Sequence, residues 1–115
     1  MGALQTLDAT TSAPASAVIW LNGRQAIIAG IRGDEQVSQV IVNRGPGTEL
    51  EYLAAVVRAI GDRERVMILG PNQVRLDLER EYVSIYRRPE RLVDVEPAGR
   101  MDAEALVEWV RRLAS

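Results

Sequence analysis

Val66-Met67-Ile68-Leu69 runs without alternation into Gly70-Pro71 and then into a polar, helix-compatible stretch. Four consecutive apolar residues describe a strand covered on both faces, the pattern of a parallel sheet flanked by helices. Pro71 suits the first turn after such a strand, because its fixed φ and missing N–H cost nothing at a helix start. This one junction directs the chain to the α/β class and away from all-β sandwiches and helical bundles.

The remaining segments are read outward from it. Ala17–Leu21 is a first strand, and Asn22-Gly23 between apolar runs predicts a tight type I′ hairpin into a second strand over Arg24–Ile31. Gly33-Asp34 marks a further turn, and Gln36–Asn43 is a third strand, completing an antiparallel meander. Arg44-Gly45-Pro46-Gly47 breaks the sheet. Thr48 and Glu51 then match a capping box, opening a helix with Leu50, Leu53, Val57 and Ile60 on one stripe and Gly61 at its end. Strand Arg65–Leu69 follows.

Asn72–Tyr86 admits two patterns: Val74, Leu78, Tyr82 and Ile85 fit a helical face, whereas Val74, Leu76 and Leu78 alternate like a strand. Helix is preferred, because a parallel crossover needs one. Pro89 stops it, Arg91–Glu96 is a fifth strand, and Asp102–Leu113 is a final helix with Leu106, Trp109, Val110 and Leu113 inward and Glu108 paired with Arg112. Three antiparallel strands followed by α-β-α-β-α is the ribonuclease H-like layout, a mixed sheet. Met1–Ser16 reads as a disordered leader and 17–115 as the single domain.

The missing residue types narrow the chemistry. The chain has no Cys and no His, and all of its basic residues are arginine. It therefore lacks a thiol nucleophile, the commonest general base, the commonest transition-metal ligand, a Schiff-base lysine and a P-loop lysine. A net charge of −2 gives no global field to draw in nucleic acid or an anionic membrane. No apolar run approaches the ~20 residues that span a bilayer. Met1–Ser16 lacks the basic and apolar regions of a signal peptide, which places the expected location in the cytoplasm.

Several features carry candidate chemistry. Nucleases of this layout hold two Mg²⁺ with acids on the first strand, the first helix and the end of the fourth strand. Only the helix offers acids here, Glu49 and Glu51, and Glu51 is accounted for by the capping box, so neither a metal pair nor a cofactor is expected. Gly70-Pro71-Asn72 with Arg75 is a candidate anion cradle at a helix start, set against an ordinary strand-to-helix turn capped by Asn72. Arg32-Gly33-Asp34 is a turn. Arg75, Arg80, Arg87, Arg88 and Arg91 form a basic cluster interleaved with Asp77, Glu79, Glu81 and Glu90, the composition of a solvated helix face. Trp20 and Trp109 belong to the core or its rim.

Three separated motifs together resemble one family. Val18-Ile19-Trp20-Leu21-Asn22-Gly23-Arg24-Gln25-Ala26 resembles the "VVWIDHREA" opening of small bacterial proteins related to the middle domain of eukaryotic and archaeal peptide-chain release factors and Pelota. Ile68–Arg75 resembles their strand-to-helix "GPG" segment, and Asp102–Arg112 their closing helix. The resemblance implies a ribonuclease H-like domain. In release factors the loop between third strand and first helix carries Gly-Gly-Gln, which promotes ester hydrolysis on the ribosome. Here that loop is Arg44-Gly45-Pro46-Gly47, the motif's Asp is Asn22 and its His is Gly23, so no residue inherits peptide release.

The leading expectation is a non-catalytic, stand-alone relative of that middle domain, associated with the ribosome or RNA through Arg44, Arg75, Arg87 and Arg88, with no DNA or membrane partner. The second is a protein-interaction or self-association module, a homodimer paired through the second or third strand as a sheet edge. A weaker third is a carboxylate hydrolase built on Glu49, Glu51 and Asn22.

Overall fold

A computed structural model describes residues 14–115. The expected leader falls mostly outside them, at residues 1–13, while Ala15 and Ser16 are already buried and Ser16 begins the first strand. Strands β1 (Ser16–Leu21), β2 (Gln25–Arg32) and β3 (Glu35–Val42) form the meander, followed by helix α1 (Glu49–Ile60), β4 (Arg65–Gly70), helix α2 (Val74–Tyr86), a 3₁₀ turn (Pro89–Arg91), β5 (Leu92–Pro97) and helix α3 (Ala103–Ala114). The sheet order is β3-β2-β1-β4-β5, antiparallel on the meander side and parallel through β1, β4 and β5. This is the ribonuclease H-like mixed sheet expected from the element order.

β1 lies at the centre and is buried on both faces. Ala17, Ile19 and Leu21 join Ala26, Ile28, Val66 and Ile68 beneath α1 and α2. Val18 and Trp20 join Ile27, Ala29 and Leu69 beneath α3. The continuous apolar run in β4 is thus explained: successive residues feed opposite cores, and neither face meets water.

The β1–β2 hairpin is present but is built differently from the expected type I′ turn. Gly23 does not adopt a positive φ. Instead Asn22 Oδ1 accepts from the backbone N–H groups of Arg24 (2.8 Å) and Gln25 (2.9 Å), an Asx turn whose central residues are Gly23 and Arg24. The second hairpin does use glycine's freedom, with Gly33 at φ 61° between the paired Arg32 and Glu35.

The helices also correct local expectations. Thr48 forms no capping box: its hydroxyl turns back into the loop, 2.6 Å from the Gly45 carbonyl oxygen and in contact with Asn43 Oδ1. Glu51 is therefore not spent on capping. Leu50 is 75% exposed, and Tyr52 joins the core in the first turns of the helix instead. α2 confirms the helix reading of its segment but starts at Val74, three residues beyond Pro71, and Ile85 faces water while Tyr86 packs on Tyr82 at a ring separation of 4.8 Å. In α3, Asp102 caps the Ala105 N–H (2.9 Å) and Leu106, Val110 and Ala114 face the sheet. Trp109 sits at the rim, 37% exposed, with the Arg112 guanidinium 5.4 Å from its ring; Glu108 accordingly pairs with Arg111 (2.9 Å), not Arg112.

Candidate nucleic-acid interface

The strand directions gather four loops at one end of the sheet. β1, β3, β4 and β5 all finish there and β2 begins there, so the connections at 22–24, 43–48, 71–73 and 98–102 surround a common rim. Loops at the carboxyl ends of strands are where a rigid sheet displays functional side chains.

Each loop is held from below. Gly70 lies so close to β1 that a Cβ on it would overlap the Leu21 carbonyl oxygen, and its own carbonyl accepts from the Ala98 N–H at 3.0 Å. The buried Trp20 indole N–H donates to the Gly99 carbonyl at 2.8 Å, fixing the loop that carries Arg100. The Tyr52 hydroxyl donates to the Asn22 carbonyl (2.9 Å), and Asn43 Nδ2 donates to the Gly23 carbonyl (3.0 Å), tying the first helix and the 43–48 loop to the first hairpin. Gly45 (φ 143°) and Gly47 (φ 83°) let that short loop fold back in a way β-carbons would resist.

Burial pushes the Tyr52 phenol well above the ordinary tyrosine value. The unfolded chain ionises near pH 10 while the folded one does not, so stability present below that pH is lost as pH rises beyond it. Alkaline titration followed by circular dichroism should show destabilisation starting near pH 10. In Tyr52→Phe that alkaline loss should shrink, at a cost of about 1 kcal/mol at neutral pH for the missing hydrogen bond.

The expected site residues divide between the two ends of the molecule. Arg44 is exposed on the rim, and Gly70, Asn72 and Arg75 lie at its β4 side. The turn consumes the amides an anion would need: Asn72 Oδ1 accepts from the Val74 N–H (3.2 Å) and the Asn72 carbonyl from the Arg75 N–H (3.3 Å). Arg75 folds back, Nη1 donating to that same carbonyl at 2.8 Å, which leaves its buried Nε without a hydrogen-bond partner. Arg87 and Arg88 belong to the opposite end. Arg87 is the left-handed cap of α2 (φ 57°), Arg88 lies 3.8 Å from Glu90, and twelve helical steps at ~1.5 Å each put Arg87 about 18 Å from Arg75. The expected Arg75/Arg87/Arg88 cluster is therefore not one surface.

Two rim residues escaped the sequence reading. Arg24, in the first hairpin, and Arg100, after β5, are both exposed, and neither takes part in an ion pair among the described residues, the same being true of Arg44. No local motif marks Arg100, and Arg24 matches the Arg of the family-like opening segment without any role following from it, because only the sheet topology brings such distant loops together. Acids stand near them too: Glu49 and Glu51 on the first turn of α1, Asp77 3.9 Å from Arg80, and Asp102 in its cap. Exposed Glu96 has its pKa raised because its protonated form donates a hydrogen bond to the Asp94 carboxylate, whose negative charge acts in the same direction. The rim is thus a set of separated arginines rather than a uniformly basic patch. Among the described residues no three acids converge as a metal site would require, and no helix is long and apolar enough to cross a membrane.

Beside the rim, a groove of about 710 Å³ opens between β3 and α1, lined by Val40, Val42, Arg44, Thr48, Glu51 and Tyr52.

No protein-family model and no curated protein matches the chain. Solved structures do. The Pelota protein of Archaeoglobus fulgidus matches over 96% of this chain and 35% of its own, with a TM-score of 0.62 and 14% identity. The Pelota protein of Thermoplasma acidophilum matches over 92% of this chain and 35% of its own, with a TM-score of 0.63 and 21% identity. A further archaeal protein matches over 96% of this chain and 39% of its own, at a TM-score of 0.52 and 17% identity. The chain thus spans little more than a third of the length of the proteins it matches, and the likeness is one of fold.

Proposed function

We propose that this protein is a non-catalytic, stand-alone counterpart of the Pelota domain whose fold it shares, and that it associates with the ribosome or its RNA in the cytoplasm. The observation that supports this most is the fold match to two Pelota structures over at least 92% of the chain. The rim arginines supply a means. Arg24, Arg44 and Arg100 stand on rigid loops at one end, free of intramolecular ion pairs among the described residues, and a guanidinium fork suits phosphate oxygens. Arg87 and Arg88, on the far side, are left out of the contact. The 43–48 loop, where the release-factor relatives carry Gly-Gly-Gln, contributes a phosphate contact through Arg44 instead of a catalytic group.

Contacts from three arginines to single-stranded RNA predict a log K against log salt slope of about −2, so a fourfold rise in salt should weaken binding about 20-fold. Titrating labelled ribosomes or rRNA with the full chain at two salt concentrations measures this. Arg24→Ala and Arg100→Ala should each reduce the slope by about 0.7. Arg87→Ala and Arg88→Ala should leave it unchanged. Absence of binding at the lower salt concentration, or equal sensitivity to all four substitutions, would sink the proposal.

A further inference from the structure

The two edges of the sheet are unlike. β5 is interrupted by a bulge opposite Val66 and Met67, carries Asp94 and Glu96, and ends at Pro97. Bulges, charges and proline are the usual means by which a sheet edge is kept from pairing. β3 has no bulge and no proline, and its one charge, Glu35, stands at its first residue. Its eight residues run in unbroken register against β2, and Gln36–Asn43 contains no charge and no proline. Val40 and Val42 are 55% and 61% exposed, and the groove between β3 and α1 leaves the strand's outer side open.

The hydrogen-bonding direction of each residue follows from the turn. A two-residue hairpin makes Arg32 and Glu35 a bonded pair, and antiparallel alternation then commits residues 35, 37, 39, 41 and 43 to β2. The Asn43 N–H to Arg24 carbonyl bond, at 2.8 Å, agrees with that phase. The N–H and C=O groups of Gln36, Ser38, Val40 and Val42 therefore point outward along a straight edge.

We propose that the occupant of this edge is β3 of a second copy of the chain, antiparallel about a two-fold axis through Gln39. The charges flanking the strand select both the partner and the register. Asp34 and Glu35 stand at its start and Arg44 follows its end, and none of the three is ion-paired among the described residues. Antiparallel self-pairing brings opposite charges together at both ends, whereas parallel pairing would set like charges side by side. Outward-pointing residues must face one another, so the register moves only in steps of two. Centred on Gln39, Gln36 meets Val42 of the second copy, Ser38 meets Val40, and Asp34 stands opposite Arg44. Centred on Ser38 or Val40, Asp34 faces Val42 or Pro46 and the charge match is lost. The product is a continuous sheet through both copies, with the unblunted edge removed from solvent.

Light scattering on the full chain after size exclusion tests this. The expected mass is twice the 12.7 kDa of one chain. Ser38→Pro removes an N–H that points away from β2, so the internal ladder stays intact while the dimer is lost. Val40→Lys, at an exposed position, should give the same monomer, and unchanged circular dichroism would show that both variants fold. Asp34→Arg and Arg44→Asp should each raise the dimer dissociation constant about tenfold, and their combination should restore it. A wild-type mass of one chain, a dimer that survives both Ser38→Pro and Val40→Lys, or a double reversal that does not restore pairing would each overturn the proposal. Ser38→Pro and Val40→Lys leave Arg24, Arg44 and Arg100 untouched, so the loss of the dimer in these two variants is read separately from RNA association.

Discussion

Tyr82→Ala should abolish most of the stability of this protein. Tyr82 is the largest fully buried side chain, its ring lies 4.8 Å from that of Tyr86, and its hydroxyl donates to the Gly61 carbonyl at 3.1 Å. It joins α2 both to the sheet and to the end of α1. Truncating a buried aromatic costs about 3–5 kcal/mol through lost transfer energy and the cavity left behind. The stranded Gly61 carbonyl adds roughly 1 kcal/mol. Against a typical total of ~5–15 kcal/mol this leaves little margin, and the melting temperature should fall by about 20 °C or more. Tyr82→Phe keeps the packing and should lose only about 1 kcal/mol. Thermal unfolding monitored by circular dichroism separates the two, and near-equal losses would mean that the ring's burial is not what holds α2 in place.

Gly70→Ala should be the most damaging conservative change in the sheet. The added methyl would overlap the Leu21 carbonyl oxygen, which is backbone and cannot swing aside, at the point where β1 and β4 end their parallel pairing. Overpacking of this kind costs about 1–3 kcal/mol or more, since two central strands must separate. The shift would also reach the Arg100 loop, through the Ala98 N–H to Gly70 carbonyl bond. Gly23→Ala is the control: nothing lies within 4 Å of its added Cβ and its φ is not positive. Urea unfolding of the pair should show a clear drop in midpoint for Gly70→Ala and almost none for Gly23→Ala.

The site was less legible in the sequence than the fold. Arg44 could be proposed because it lies in the loop of the release-factor resemblance, but Arg100 carries no motif, and Arg24 sits in the opening motif with no sign there that it faces Arg44 and Arg100. Grouping Arg75 with Arg87 and Arg88 was a natural error, since neighbours in sequence look like neighbours in space until a helix of about 18 Å separates them. Leu50, Ile85 and Trp109 fit apolar stripes by spacing alone, yet a helix face is buried only where an element stands opposite, and at these positions none does.

What the chain determines locally is its list of elements and their order. The buried run of β4, the meander and the three helices follow from hydrophobic period and from turn residues, which act over a few neighbouring positions. What only the tertiary structure decided is the use of side chains that have two possible partners. Asn22 and Thr48 bonded to their own loops rather than to the turn type or cap their positions suggested. The shared rim of Arg24, Arg44 and Arg100, and the contrast between an open β3 edge and a blunted β5 edge, likewise arise from strand order. Strand order is set by which apolar faces meet across long stretches of chain, a long-range choice that short-range pattern does not encode.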